Sequence, residues 1–309
     1  MRLLVVGAGA VGGYFGGRLA QAGRDVTFLV RSQRASQLRD RGLEIVSPNG
    51  NATLTPKLVT RNDLSEPYDL VLLTVKNYAL QGALDDIAPA VGAGTVILPT
   101  LNGLQHLDEL KAKFGESHLL GGVCIVAATL DAQGRIVQLT GMEKLVYGEL
   151  DGSRSTRIED VDRTLQGAGF DARVSQSILL EMWEKWVFIA ALGGITCLLR
   201  GTIGEIGAAP RGRELALAMH EECVSVATAS GYAPRPEAIE SARATLTEAG
   251  SSLASSLYRD LQKGAPLEAD AILGDMCRRG EAAGLKLSLL AAAYAQLSIY
   301  ESKRAPLSP

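Results

Sequence analysis

The feature that most constrains this chain stands at its start. An apolar run, Leu3 to Val6, leads directly into Gly7-Ala8-Gly9-Ala10-Val11-Gly12, a match to G-x-G-x-x-G. Context gives the match its meaning. A helical pattern continues through Leu19 to a glycine stop at Gly23, and Asp25 to Val30 reads as a second strand. The glycines thus sit in a strand, turn, helix, strand unit of about 30 residues, as a dinucleotide site requires. Glycines let the backbone approach a pyrophosphate, and the helix N-terminus offers unpaired N–H donors with partial positive charge. Glycines used only for packing are the competing reading. An NAD site usually carries Asp or Glu at the end of the second strand to bind the ribose 2′-hydroxyl. Here that place holds Arg31, Arg34 follows three residues on, and no acid occurs between Asp25 and Asp40. A 2′-phosphate, and therefore NADPH, is the expected fit; two solvated arginines in a strand-to-helix loop are the alternative.

Further continuous apolar runs, Asp69 to Val75, Thr95 to Pro99 and Leu119 to Ala127, predict strands buried on both faces. Alternating with helical segments such as Asn77 to Ala88 and His106 to Phe114, they predict a parallel sheet wrapped by helices. Two stretches, Leu43 to Val59 around Asn49-Gly50 and Arg135 to Glu149 around Thr140-Gly141, read as antiparallel excursions at a sheet edge. A helix around Thr156 to Gln166 and a short strand near Phe170 to Val174 follow, and then strand signals stop. From Ile178 onward the pattern is helical, punctuated by glycine and proline. The predicted fold class is α/β: an N-terminal Rossmann-type parallel-sheet domain over residues 1–175, then an all-α C-terminal domain over residues 176–309. A chain of 309 residues is long enough for two cores, and its last residues, after about Lys303, read as a loose tail.

Composition excludes several classes. A net charge of -3 supplies no basic face for nucleic acid or anionic lipid. Cys124, Cys197, Cys223 and Cys277 form no C-x-x-C pair, and His106, His118 and His220 show no paired spacing, so no metal site and no disulfide framework are expected. The glycines between Gly7 and Gly17 interrupt what would otherwise resemble a signal peptide. The uncharged stretch Trp186 to Leu199 is shorter than the ~20 residues of a membrane span. A cytoplasmic protein without nucleic-acid or membrane partners is expected; a homodimer stays open.

Once the N-terminal fingerprint is joined by TVKNY at Thr74 to Tyr78, LNG at Leu101 to Gly103, WEKW and SSLYRD, the chain resembles the ketopantoate reductase (2-dehydropantoate 2-reductase) family over nearly its whole length. The resemblance implies reduction of a 2-keto acid to a 2-hydroxy acid with NADPH, in a cleft between a Rossmann domain and a helical domain. It implies cofactor binding at Gly7 to Gly12, Arg31, Lys76 and Asn102, a proton-donating lysine at Lys185, a substrate-binding serine at Ser256, and at Glu268 a glutamate beside substrate and nicotinamide. Asn102 and Lys185 would also touch substrate. Ketopantoate itself, and with it pantothenate biosynthesis, is the first candidate. Three family asparagines are missing, however: Ile189, Gly193 and Leu253 stand in their places. A different, less polar keto acid is the alternative, and a non-catalytic NADPH-binding sensor is the reading from another class.

Each candidate residue also has a plainer role. Lys185 adjoins an uncharged, apolar segment that reads as a buried helix. It is either a proton donor or the i+4 partner of Glu181, an arrangement worth only a few tenths of a kcal/mol. Glu268 follows Pro266 at a predicted helix start, where a carboxylate also stabilises the first turn. Ser256 lies in a serine-rich run whose hydroxyls commonly cap helices. Gly193-Gly194 costs helicity roughly 1 kcal/mol per residue, and either close packing or substrate approach would account for it.

Overall fold

A computed structural model describes residues 1–304; the tail, from residue 305 on, lies outside the described residues. By its internal contacts the chain forms two compact units, one of Met1–Leu101 with His106–Ile178, the other of Asn102–Gln105 with Leu179 onward.

In the first unit, short strands rich in Val and Leu build a five-stranded parallel sheet. They are β1 (Arg2–Val6), β2 (Asp25–Leu29), β5 (Lys57–Val59), β6 (Leu70–Leu73) and β7 (Val96–Pro99), in the order β5-β2-β1-β6-β7. Numbered within this sheet the order is 3-2-1-4-5, so the winding reverses between β1 and β6. Sheets of this kind bind ligands beyond the strand C-termini at such a reversal. On one face of the sheet lies α1 (Ala10–Gln21). On the other, α3 (Leu80–Ile87) and α4 (Gln105–Phe114) supply Leu84, Ile87 and Leu110 to a second core. The helix α2 (Ser32–Arg41) follows β2.

A second sheet holds β3 (Leu43–Val46), β4 (Ala52–Leu54), β8 (Gly121–Leu130), β9 (Ile136–Gly148) and β10 (Asp171–Val174), with α5 (Thr156–Leu165) beside it. Two sequence expectations are corrected here. The run Leu119 to Ala127 does not join the parallel sheet: β8 pairs antiparallel with β9, and only an isolated bridge, Ile97 to Leu119, links it to β7. Thr140-Gly141 is no turn either, because β9 runs straight through it. The reversal falls at Asp131–Gly134, where the Asp131 carboxylate accepts the N–H groups of Gln133 (3.0 Å) and Arg135 (2.9 Å). That is an Asx-type turn, stronger than the Thr-Gly signal. The Asn49-Gly50 hairpin forms as expected between β3 and β4, whereas Lys57–Val59 leaves it for the parallel sheet.

Packed between the two sheets, α1 explains most of its glycines. A β carbon at Gly13 would meet Ile136 of β9 at 2.6 Å, at Gly16 Phe28 of β2 at 2.6 Å, and at Gly17 Ile45 of β3 at 2.7 Å. Glycine is the side chain that lets a helix lie this close to both.

The second unit is helical: α6 (Ile178–Leu199), α7 (Ile203–Ala208), α8 (Gly212–Ala229), α9 (Pro236–Leu246), α10 (Ser256–Gln262), a π turn (Asp270–Gly274), α11 (Asp275–Ala282) and α12 (Ser288–Lys303). Beginning eight residues before Trp186, α6 is long and apolar enough, by length and composition, to cross a membrane; 67% of the apolar window is nonetheless buried within the protein. It is a core helix. Its Trp186 indole donates to the Ile272 carbonyl (2.9 Å), and Trp183 stacks on Tyr232 with ring centroids 5.7 Å apart. Close packing accounts for the glycine pair: β carbons at Gly193 and Gly194 would meet Leu257 at 2.9 Å and Met219 at 3.0 Å.

Candidate functional site

In the first unit the site is made of backbone. Gly7 takes φ +96, a left-handed conformation that favours glycine, and its N–H reaches the Leu29 carbonyl at 2.9 Å. The Thr74 hydroxyl, just past β6, donates to the Val6 and Gly7 carbonyls at 2.7 and 3.2 Å. This seals the loop across the sheet reversal. Gly12 closes on the same point, since a β carbon there would lie 2.1 Å from both Gly7 O and Thr74 Oγ1. Gly9 is the opposite case: a β carbon there would have no neighbour within 4 Å. It is also the N-cap of α1, and no side chain caps that end. The first-turn N–H groups of α1 lack intrahelical acceptors, and the space beside Gly9 is open, the arrangement that receives a phosphate. Ala8 is buried behind them.

The two arginines that follow β2 separate. Arg34 donates to the Ala8 carbonyl (3.1 Å) and to the Gly134 carbonyl of the β8–β9 hairpin (2.9 Å), and desolvation pulls its pKa below the ordinary value. It braces the glycine loop. Arg31, two residues beyond β2 at the start of α2, is exposed. Lys76, also exposed, follows β6, the strand that pairs with β1 across the reversal.

In the second unit the candidate residues come from separate segments. Asn102, half-buried, precedes Gly103 (φ +80), whose β carbon would lie 2.5 Å from the Ala271 carbonyl and 3.9 Å from Trp186 Nε1. Trp186 in turn binds Ile272. Three stretches thus meet: the Asn102 turn, α6 immediately after Lys185, and the π turn just after Glu268. Lys185 is half-buried, while Glu268 is buried at the end of the loop that opens the π turn. Next to Lys185, Glu184 is engaged by the Arg235 N–H (2.9 Å) and Nε (2.8 Å).

At 3.6 residues per turn, Ile189 and Thr196 share the Lys185 side of α6, Thr196 about 16 Å further along. Thr196 and Ser255 hydroxyls lie 2.8 Å apart, and Ser255 accepts the Tyr258 N–H at 2.9 Å. Capping, the plainer role for this serine run, falls on Ser255. Ser256 is exposed as the first residue of α10. Sequence reasoning missed Thr74 and the bracing role of Arg34, although both lie beside recognised motifs; their signal is a polar residue directly at a strand end.

The profile described as ketopantoate reductase PanE/ApbA matches residues 3–152, and that of its C-terminal domain matches residues 177–301. The uncharacterized oxidoreductase YkpB of Bacillus subtilis is 36% identical over 304 residues, 98% of this chain and all of that protein. A 2-dehydropantoate 2-reductase of Archaeoglobus fulgidus is 32% identical over 284 residues, 92% of each. Among solved structures, the 2-dehydropantoate 2-reductase of Geobacter metallireducens superposes with a TM-score of 0.87 at 28% identity, over 97% of this chain and 99% of that one. The fold is shared too with D-mandelate dehydrogenase solved with NADH and anilino(oxo)acetate, at TM-score 0.88 and 22% identity over 98% and 99% of the two chains. With both profiles matched and relatives above 30% identity across nearly its whole length, the chain belongs to the ketopantoate reductase family and is an oxidoreductase.

Proposed function

We propose that the chain is a cytoplasmic NADPH-dependent reductase of 2-keto acids, residues 1–175 holding the cofactor and the helical remainder, with Asn102, holding substrate. The observation that carries this reading is the meeting of the Asn102 turn, the Lys185 stretch of α6 and the Glu268 loop through Gly103 and Trp186. Gly9, open and at an uncapped helix end, fits a pyrophosphate, and the exposed Arg31 fits a 2′-phosphate. The chemistry the cofactor supplies when bound is a hydride to the keto carbon. As the carbonyl electron pair moves to oxygen, the Lys185 ammonium stabilises the growing charge and then gives that oxygen its proton. Ser256 and Asn102 hold the substrate, and Glu268 orients it beside the nicotinamide. A sensor would need the glycine loop and Arg31 but neither Lys185 nor Glu268.

For the substrate, Ile189, Gly193 and Leu253 favour a keto acid less polar than ketopantoate. A pocket that does not hydrogen-bond a hydroxyl discriminates weakly against its absence, whereas a polar pocket can discriminate by orders of magnitude. Ketopantoate and its deoxy analogue, 3,3-dimethyl-2-oxobutanoate, should therefore show kcat/KM values within roughly tenfold, followed by loss of NADPH absorbance. A preference for ketopantoate above about a thousandfold would restore the pantothenate role. No oxidation of NADPH by any 2-keto acid would leave the sensor.

A further inference from the structure

One helix holds the segment that carries Glu268. From α12, the Tyr300 hydroxyl donates to the Ala265 carbonyl (2.9 Å), and Glu301 accepts the N–H of Leu267 (2.9 Å), the residue immediately before Glu268. Two turns back on the same face, Tyr294 donates to Asp270 (2.6 Å), two residues after Glu268. Asp270 carries more. Arg278 donates to both of its oxygens (2.8 and 3.3 Å), and the same guanidinium reaches Gln105 (3.4 Å), three residues from Asn102. The far end of α12 is itself fixed, because the Glu222 carboxylate of α8 accepts the N–H groups of Leu289 (3.0 Å) and Leu290 (2.8 Å).

The bracketed backbone is of a costly kind. Asp270–Gly274 is a π turn, a form that is rare and concentrated at functional sites. At its end, a β carbon on Gly274 would meet Asp270 Oδ1 at 2.5 Å and the Tyr294 ring at 2.7 Å. Glycine at this place is what lets Tyr294 reach Asp270. On the near side, Leu267 is buried, and its N–H precedes a helix start where donors lack intrahelical acceptors. Glu301 supplies the acceptor. With the Leu267 side chain buried and its N–H bonded, the Pro266–Leu267 peptide that leads into Glu268 is held at both its backbone and its side chain.

We propose that α12 is the positioning element of the substrate site. Glu301 holds the backbone N–H just before Glu268, Tyr294 holds the Asp270 carboxylate just after it, and Asp270 with Arg278 links that segment to the Asn102 turn. The inference rests on the reading of Glu268 and Asn102 as substrate-side residues. A reacting geometry displaced by about 1 Å loses up to a hundredfold in rate, so these residues act on turnover without touching substrate.

The test uses the full chain with NADPH and 3,3-dimethyl-2-oxobutanoate, and hydrogen exchange of the apoprotein. Glu301→Ala should lower kcat by roughly ten- to a hundredfold and leave the Kd for NADPH within about twofold. Glu301→Gln keeps an acceptor oxygen and should recover most of the loss. Exchange across 264–274 should rise more than about tenfold in Glu301→Ala and little in Glu301→Gln. In a Glu268→Gln background, Glu301→Ala should cost nothing further, because the residue it positions is already gone. Multiplying losses in the double variant, or full kcat in Glu301→Ala, overturns the proposal while leaving Glu268 in its role. Full kcat in Glu268→Gln overturns the underlying reading instead. Tyr294→Phe keeps the ring against Gly274 and removes only the bond to Asp270, so the same cycle run with it decides the matter if Glu301→Ala does not fold.

Discussion

In the first unit the proposed cofactor end consists of main chain: Gly7 in a left-handed turn, an uncapped helix start at Gly9, and Gly12 pressed on Gly7 and Thr74. In the second, the proposed substrate end consists of side chains on three separated stretches, around Asn102, Lys185 and Glu268, held by Trp186, Glu301 and Arg278. The two sites store their precision in different places. A backbone site gets its geometry from adjacent residues, and space is its specificity. A side-chain site gets its geometry from packing between distant segments, and its precision lies in residues that never touch the ligand.

Lys185 carries the largest expected loss. If the second unit carries the chemistry, Lys185→Ala should lower turnover by about 10² to 10⁴ and leave NADPH affinity and the melting temperature nearly unchanged. Lys185→Gln keeps a donor but cannot give up a full proton, so it should recover little. Steady-state kinetics and a melting curve on one preparation decide: intact turnover in the alanine variant removes Lys185 from the mechanism.

The backbone site is sharpened by a pair of substitutions. Gly12→Ala drives a β carbon into a carbonyl and should cost about 1–3 kcal/mol of stability, with cofactor binding lost alongside. Gly9→Ala meets no protein atom, so it should leave stability within about 0.5 kcal/mol yet weaken NADPH at least tenfold. Undiminished NADPH affinity in Gly9→Ala would show that the open space there is not where the pyrophosphate lies. A smaller effect belongs to Arg31. Arg31→Ala should weaken NADPH by roughly tenfold or more and barely change NADH, while equal losses in fluorescence titrations with both cofactors would mean Arg31 does not read the 2′-phosphate.

Legibility in the sequence follows the same division. The glycine loop, the parallel strands and the helical C-terminal half could be read because each depends on neighbours in the chain: Gly9 opens α1, and Leu70–Leu73 is buried at every residue. The antiparallel placement of β8 could not, since an apolar run says that a strand is buried and not which sheet buries it. Nor could the different duties of Arg31 and Arg34, which depend on Gly134, a hundred residues from Arg34. Family resemblance named Lys185 and Glu268. Nothing near Glu268 in the sequence points to Tyr294 or Glu301, because they come from a helix far along the chain and bond its neighbours, the Asp270 carboxylate and the Leu267 N–H.

The smallest expected effect separates the units by acid. His220, in α8, is 1% exposed, and its Nδ1 has no partner among the described residues. Burial, then the charge of Arg243, lowers its pKa, with Glu221 opposing. Between the unfolded value near 6.5 and the lower folded one, the unfolded chain binds a proton that the folded chain does not. Stability from this residue is therefore present above about pH 6.5 and is lost as pH falls below it, by up to about 1.4 kcal/mol per pH unit until the folded value is reached. In the first unit the sign is alike but the window is lower. Burial pushes the Glu149 carboxyl up, yet hydrogen bonds from Arg157 and Ser155 prevail and hold it below its usual value. Its contribution survives until the pH drops through the range below about 4.5. Mild acid should thus soften the second unit first. Both tryptophans, Trp183 and Trp186, lie in that unit, so their fluorescence reports it alone. The urea midpoint followed by tryptophan emission should fall between pH 7 and 5.5, and His220→Gln should flatten that dependence. A wild-type midpoint that stays constant over this range would show that His220 does not set the acid response of the helical unit.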